Sequence, residues 1–400
     1  SYIGYKTQEV PLHGQTSLNI TLMDDTQVID EVVVTALGIK RATKALSYNV
    51  QEVKSDELLT NKDANFINAL SGKVAGVTIN SSSSGVGGAS KVVMRGTKAI
   101  NQSSNALYVI DGVPMFNLGS EGGQENDSKG TTEAIADINP EDIESMSVLT
   151  GAAAAALYGS HAANGAIVIT TKKGKEGKLS VQFSSSSEFS KAYMTPEFQN
   201  TYGNKKDMYE SWGEKLLTPT SYDPKKDFFN TGTNFINSVT LTTGTKSNQT
   251  FASVSSTNSK GIVPNNEYER LNFTIRNTAT FLNDKLQLDL GASYVKQKDK
   301  NMVSQGQYWN PVMAAYLFPR GEDFDGIKSF EHFDESRQLP VQYWPVADPV
   351  YASQNPYWTA YRNVATNEKS RYMFNVGLTY NITDWLNATA RFRMDDTHVL

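Results

Sequence analysis

The sequence predicts a mixed α and β domain followed by an antiparallel sheet that forms part of a transmembrane β-barrel, with the end of a small all-β domain before both. In residues 44–176 the hydrophobic pattern changes repeatedly between the helical period and the strand period. In residues 177–400 long segments alternate apolar and polar residues, and the connections between them alternate between short and long. That combination is typical of membrane β-barrels.

Composition narrows the classes of function. The 400 residues carry a net charge of only -5, so nucleic acid is not an expected partner. The chain contains no cysteine, and its four histidines are far apart and outside any known metal motif. We therefore expect no catalytic residue, no metal site and no cofactor. The first residues carry no signal-peptide pattern, which indicates a processed or trimmed chain.

The N-terminal region predicts two units. Residues 1–24 contain two alternating segments joined by "HGQ", which predicts the end of a small β domain. Residues 25–43 are mainly polar and predict a linker, but they include the apolar strand "VIDEVVVTALG" at 28–38. Nothing near this strand in the sequence is expected to bury its three valines.

Residues 44–176 contain short helices and short strands. A helix is predicted over 63–70, with Asn61 or Asp63 as its N-cap, and a second helix over 152–159, ended by Gly159. In "NPED", Asn139 is the predicted cap of a further turn. The segments "KVVMRG", "ALYVID" and "GAIVITT" predict strands joined by glycine-rich and serine-rich loops.

The strands after residue 177 each have one apolar face and one polar face. In "YERLNFTIR", Leu271, Phe273 and Ile275 share one face, and the residues between them share the other. A soluble β-sandwich would show the same alternation, so the connections favour the barrel: turns such as "GTKSN", "LNDK" and "NITD" alternate with inserts at 192–235 and 300–369. We count about seven strands, which predicts that the chain stops before a barrel closes.

Several motifs together resemble a known family. They are "LSGKVAGVTI" (70–79), "KVVMRG" (91–96), "ALYVIDGVPM" (106–115) and "DINPEDIESMSVLTGAAAAALYGSHAANGAIVITTKKG" (137–174). They resemble the plug domain of SusC/RagA-type TonB-dependent outer-membrane transporters. Two positions depart from the family pattern, since Thr150 and His161 stand where a basic residue is common.

The resemblance implies a domain plan and a fold class. Residues 1–24 would end a carboxypeptidase-regulatory-like β domain, and 25–43 would be a linker with the TonB box. Residues 44–176 would form an α+β plug domain. Residues 177–400 would supply the first strands and long extracellular loops of a 22-stranded transmembrane antiparallel β-barrel around that plug.

The resemblance also implies which segment binds TonB, the protein that supplies the energy for transport. The valine strand would be the TonB box, kept unpaired so that TonB can add to it as a β-strand. Its residues are Asp30, Glu31, Val32, Val33, Val34, Thr35 and Ala36. The alternative is an ordinary edge strand of the preceding β domain. Arg95 is expected to couple plug and barrel by pairing with Asp111 or with acids of the barrel wall, and the alternative is an exposed charge at a strand end.

Candidate ligand contacts lie in loops. The candidates are Ser81, Ser82, Ser83, Ser84, Asn117, Ser120, Gln124, Asn126, Asp127, Trp309 and Trp344. The polar residues supply hydrogen-bonding groups, and aromatic rings stack on sugars or hold peptide side chains. The alternatives are flexible solvated loops and rings that only stabilise the loops.

The expected function is import of an oligosaccharide or oligopeptide across the bacterial outer membrane, driven by TonB and the proton gradient. The expected partners are TonB, a SusD-type surface lipoprotein, the ligand and outer-membrane lipid, with the N-terminus and TonB box in the periplasm. Two alternatives remain open from the sequence. They are a signalling receptor of the same fold and a soluble β-sandwich that serves binding or adhesion.

Overall fold

The computed structural model describes residues 32–34, 40–42, 50–60, 62–97, 104–115, 130–206, 208–304, 306, 309–346, 353–383 and 385–400. The small β domain predicted over residues 1–24 lies outside these ranges. Within them, no helix is both long enough and apolar enough to cross a membrane.

The first domain is built on a five-stranded mixed sheet. A separate two-stranded sheet precedes it, formed by β1 (Val32–Val34) and β2 (Lys40–Ala42). The strands that follow are β3 (Val50–Lys54), β4 (Val77–Asn80), β5 (Lys91–Met94), β6 (Leu107–Ile110), β7 (Val113–Met115), β8 (Ile143–Leu149) and β9 (Ala166–Thr171). The five-stranded sheet has the order β3-β8-β9-β6-β7, while β4 and β5 pair with each other.

Helices cover this sheet and close its core. They are α1 (Ser55–Leu59), α2 (Gly151–Tyr158) and 3₁₀ helices at Phe66–Leu70, Ala134–Asp137, Pro140–Asp142 and Ser160–Ala162. Ile67, Met146 and Ile167 are fully buried together in the main core. The predicted cap Asn139 is confirmed, since its side chain accepts a hydrogen bond from the Glu141 amide.

The predicted cap Asp63 is wrong, and the other candidate, Asn61, lies outside the described residues. The N-cap of the helix at Phe66–Leu70 is Asn65, whose side-chain oxygen accepts a hydrogen bond from the Ile67 amide. Asp63 instead accepts a hydrogen bond from the Asn65 amide at 2.8 Å, one step earlier in the chain. The helix therefore begins later than its hydrophobic pattern predicts.

Seven long antiparallel strands form the second unit, as the sequence predicts. They are β10 (Gly177–Ser190), β11 (Gly232–Gly244), β12 (Asn248–Lys260), β13 (Glu267–Phe281), β14 (Leu286–Lys300), β17 (Thr366–Asn381) and β18 (Asn387–Val399). Each strand pairs with the next of these in chain order. The turns of three to five residues predicted at one end of the sheet are present, and all the long connections leave from the other end.

The sheet buries its polar face and exposes its apolar face. On β13, Leu271 and Phe273 are 47% and 45% exposed, whereas Arg270 and Asn272 are each 3% exposed. The same alternation runs along β17, where Phe374 and its apolar neighbours face outward. A soluble sandwich would bury the apolar face, so this arrangement excludes it and fits a sheet with lipid outside and a polar interior.

The two longest loops pack on each other to form a small core of their own. They contain α3 (Pro224–Asp227), α4 (Pro311–Tyr316), α5 (Pro356–Tyr361), a 3₁₀ helix at Gly326–Lys328, and a hairpin of β15 (Glu331–Asp334) and β16 (Leu339–Gln342). The rings of Tyr222 and Phe324 stack with centroids 4.0 Å apart. The Tyr222 hydroxyl also donates to the carbonyl of Ala315 at 2.7 Å. These loops are therefore ordered by aromatic packing.

A charge placed on the outward face should destabilise the protein. Phe374→Lys should lower the free energy of unfolding by about 2 to 4 kcal/mol, the usual cost of a cation facing lipid near mid-depth. Asn375→Lys, one residue further along β17, should cost less because that side chain faces the polar interior. Unfolding of the full-length protein in lipid vesicles measures both. Equal effects would contradict the assigned faces.

Candidate functional site between the first domain and the sheet

A buried group of charges around Asp137 joins the two units. Arg371 of β17 donates to the Asp137 carboxylate at 2.9 Å and to the carbonyl of Ala134 at 2.7 Å. Lys369 lies 2.7 Å from the same carboxylate, and Arg371 also forms a two-pronged ion pair with Asp395 of β18. The side chains of Asp137 and Arg371 are 1% and 4% exposed. Charges buried this deeply need partners of opposite charge, and here each unit supplies partners for the buried charges of the other unit.

A second ion pair joins the units nearer the short turns. Arg276 of β13 lies 2.8 Å from the Asp111 carboxylate, which also accepts hydrogen bonds from the amide and hydroxyl of Thr171. Burial raises the pKa of Asp111, but the Arg276 charge and the Thr171 hydrogen bonds outweigh it and hold the pKa below its ordinary value. Asp111 is therefore held as a carboxylate against the sheet.

The expected pairing of Arg95 with Asp111 is not what the structure shows. Arg95 lies just after β5 with a positive φ of 57°, and its side chain is exposed. Asp111 takes its cation from Arg276, which is far away in sequence but adjacent in the fold. Among the described residues Arg95 is an exposed charge at a strand end, and its pairing with acids elsewhere in the barrel wall stays a prediction.

The glycine-rich loop at 81–88 is docked on the sheet and on the long loops. The Val86 amide donates to the Asn266 side chain at 3.2 Å, and Asn266 in turn donates to the carbonyl of Asn301 at 3.1 Å. A β-carbon on Gly87 would lie only 2.4 Å from the ring of Tyr268. This glycine, which also has a positive φ of 73°, thus allows close packing against the sheet.

A cleft of about 480 Å³ lies between this loop and the long loops above it. Its floor includes Asp63, Asn68 and Ser81–Ser83, and its far side includes Glu188, Lys191, Phe229, Ile262 and Val312. Burial and the nearby Glu188 charge raise the pKa of Asp63. The cleft carries polar and charged side chains on both sides, and Phe229, Ile262 and Val312 add apolar surface. It suits a ligand that has both kinds of surface.

A smaller cavity of about 190 Å³ lies between the units on the side of the short turns. Charged side chains of both units line it, including Asp111, Lys173, Asp289 and Arg393. Lys173 pairs with Asp289 at 3.0 Å. Charged side chains of both units therefore meet beside a gap in the packing on this side.

The predicted TonB-binding strand is only partly described. Val32, Val33 and Val34 form β1, which pairs antiparallel with β2. The family pattern implies an unpaired strand, so the pairing with β2 is a difference from that expectation. Asp30, Glu31, Thr35 and Ala36 lie outside the described residues.

The predicted ligand contacts do not all lie at one place in the structure. Ser81, Ser82 and Ser83 line the cleft, whereas Ser84 is buried and its carbonyl accepts a hydrogen bond from the Val303 amide at 2.8 Å. Trp309 is 40% exposed, and it is absent from the residues that line the cleft.

Trp344 packs 5.7 Å from the ring of Phe318, beside the core of the long loops. The remaining candidates lie outside the described residues, namely Asn117, Ser120, Gln124, Asn126 and Asp127. Among the described candidates, Ser81, Ser82 and Ser83 are the serines that the structure brings together at one cavity.

Sequence reasoning missed the residues that connect the units. Asp137 is part of a quoted motif, and Arg371 lies on the polar face of its strand, so alternation could have placed both inside. Asn266 follows a loop without a periodic pattern, and no local signal singles it out. These polar contacts, on the inner face of a sheet whose other face is apolar, define a plugged transmembrane β-barrel.

Comparisons with known proteins agree with that class. The model of the TonB-dependent receptor plug domain matches residues 42–166. The TonB-dependent receptor SusC of Bacteroides thetaiotaomicron is 33% identical over 367 residues, which cover 90% of this chain and 34% of SusC. The TonB-dependent receptor P39 of Formosa agariphila is 39% identical over 191 residues, or 47% of this chain and 17% of P39.

Solved structures show the same fold. The RagAB peptide importer in its "open-open" state matches with a TM-score of 0.65 at 20% identity, over 92% of this chain and 42% of the other. Its "closed-closed" state matches with a TM-score of 0.64 at 21% identity, over 89% and 41%. The chain belongs to the SusC/RagA-type TonB-dependent transporters. It spans about a third of the length of SusC.

Removing the Asp137 carboxylate should loosen the plug. Asp137→Ala leaves Lys369 without that partner, and it leaves Arg371 with Asp395 and the Ala134 carbonyl. Breaking a buried pair of this kind costs about 3 to 5 kcal/mol. Hydrogen–deuterium exchange of β8 in the purified full-length protein should become faster. As a control, Glu368→Ala removes an exposed pair with Lys298 and should leave the exchange unchanged. Equal exchange rates in wild type and Asp137→Ala would show that the ion pairs of Asp137 do not hold the plug against the sheet.

Proposed function

We propose that this chain is part of an importer that carries an oligosaccharide or oligopeptide across the bacterial outer membrane. The observation that carries the proposal is the sheet itself, which turns an apolar face outward and holds a plug domain on its polar face. A barrel blocked in this way is useful for uptake only if the plug moves. The ion pairs between plug and sheet, and the gap in the packing beside them, support such movement.

The energy would come from TonB, coupled to the proton gradient across the inner membrane. TonB would bind the strand around β1 by β-strand addition, with Asp30 to Ala36 as the full contact and the N-terminus in the periplasm. The proposed plan has residues 1–24 as the end of a carboxypeptidase-regulatory-like domain and 25–43 as the linker. Residues 44–176 would be the plug, and 177–400 the first strands of a 22-stranded barrel.

Cargo would bind first in the cleft above the plug. Three observations support this site: Ser81–Ser83 reach it from the plug, the ordered long loops roof it, and it opens on the side opposite the short turns. Asn117, Ser120, Gln124, Asn126 and Asp127 remain candidates for the same contact. Trp309 remains a candidate as well, whereas the packing of Trp344 favours a role in holding the loops.

A SusD-type surface lipoprotein would close the barrel from outside. The long loop between β10 and β11 supports this partner, because it exposes large apolar side chains such as Trp212, which is 79% exposed. Exposed aromatic residues are enriched at protein interfaces. The outward apolar face of the sheet would contact outer-membrane lipid.

Breaking the proposed TonB strand should stop uptake. Val33→Pro removes a backbone N–H donor from the middle of the strand. Each hydrogen bond contributes about 1 kcal/mol, so a strand that cannot pair along its length should release TonB. Uptake of labelled cargo by cells should fall to background, while cargo binding by the purified complex stays at the wild-type level. Val33→Ile, which keeps the donor and the branched side chain, should transport normally. Normal uptake by Val33→Pro would remove this strand as the TonB contact.

Filling the cleft should block cargo without affecting TonB. Ser81→Trp combined with Ser83→Trp should weaken cargo binding by tenfold or more, or about 1.4 kcal/mol, because two indole rings take up the space. The measurement is cargo retained by the detergent-purified complex, read by mass spectrometry. Ser329→Trp, in a long loop and away from the cleft, is the control. Full retention by the double variant would place the cargo elsewhere.

A further inference from the structure

The strand proposed to bind TonB is already paired with a neighbouring segment of its own chain. Val32 lies opposite Ala42, Val33 opposite Arg41, and Val34 opposite Lys40. Together β1 and β2 form a two-stranded antiparallel sheet, and neither belongs to any larger sheet of the described residues. The TonB strand is thus one half of a small hairpin.

We propose that the interaction surface for TonB is this hairpin, with TonB adding to the free edge of β1 while β2 stays on the other edge. The inference rests on the proposed function, because it takes TonB as the partner. It assigns Lys40–Ala42 a role as a supporting strand. TonB, β1 and β2 would then form one three-stranded sheet.

Hydrogen-bond geometry makes this arrangement possible. In an antiparallel pair, residues alternate between those bonded to the partner strand and those whose groups point to the opposite edge. The groups of β1 that β2 does not use are therefore available to a second partner. Among the described strands, β1 pairs with β2 and with no other strand on its second edge.

Energetics favour keeping β2 in place. Fixing the backbone of each residue costs conformational entropy, and β2 already holds β1 extended before TonB arrives. Displacing β2 would also break the existing hydrogen bonds between the two strands. A two-stranded sheet is marginal in water, and a third strand would stabilise it, so TonB binding and the hairpin would reinforce each other.

The absence of cysteine from the chain allows a direct test. In an antiparallel pair of strands, the Cα–Cα distance between opposite residues alternates between wide and close. Two double variants at neighbouring pairs therefore include one closely spaced pair. The variants are Val33→Cys with Arg41→Cys and Val32→Cys with Ala42→Cys. Oxidation should form a disulfide in at least one of them, because both spacings lie within the disulfide range. That disulfide would lock β2 beside β1 in the full-length protein.

The readout is the affinity of the locked and reduced forms for the periplasmic domain of TonB. We expect the oxidised form to bind as tightly as the reduced form or up to about threefold more tightly, since the strand is preorganised. Binding that weakens tenfold on oxidation would show that β2 must leave. Failure of both variants to form a disulfide would show that the hairpin is absent. Either result overturns the inference.

A proline series gives an independent measurement. Arg41→Pro removes a backbone donor from β2 and should weaken TonB binding by about threefold to tenfold, through lost preorganisation. Stronger binding by this variant would indicate that β2 competes with TonB, and it would overturn the inference. Ser47→Pro, outside the β1–β2 pairing, is the matched control and should bind as wild type does. Wild-type protein that fails to bind TonB at all would instead remove the proposed function.

Discussion

The buried guanidinium of Arg371 sets the main constraint on this structure. A cation on the inner face of a membrane sheet needs partners, and among the described residues of the sheet Asp395 is the acid that pairs with Arg371. The plug supplies Asp137 and a backbone carbonyl, so the wall and the plug satisfy each other. Arg270 on β13, two strands away in the sheet, also contacts the plug by donating to the carbonyls of Ala64 and Ala136.

This constraint explains why the contact is firm and yet separable. Ion pairs and hydrogen bonds hold their geometry closely, but water can replace them once an interface opens, whereas exposing an apolar core costs free energy in proportion to its area. The oxygens of Asn272 and Gln297 lie buried in the contact without a partner among the described residues. In the proposed import cycle, a pull on the N-terminal side of the plug would separate these polar contacts.

The long loops also make polar contacts with the plug, on the side of the sheet opposite the short turns. Their aromatic core keeps them folded, and Asn266 connects them to the plug through Val86 and Asn301. The proposed cargo cleft lies at that junction, so a ligand there would touch plug and loops together. Ligand contact and plug position are thereby brought within one hydrogen-bonded network.

The sequence by itself determined the faces of the strands, the cap at Asn139, the alternation of short turns with long loops and the family motifs. These features are local, since a strand places every second residue on one face whatever lies beyond it. Only the tertiary structure decided the partners: Arg276 rather than Arg95 for Asp111, and Phe318 for Trp344. Such pairs depend on how distant segments of the chain meet in space, and hydrophobic periodicity carries no information about which distant charges or rings come together.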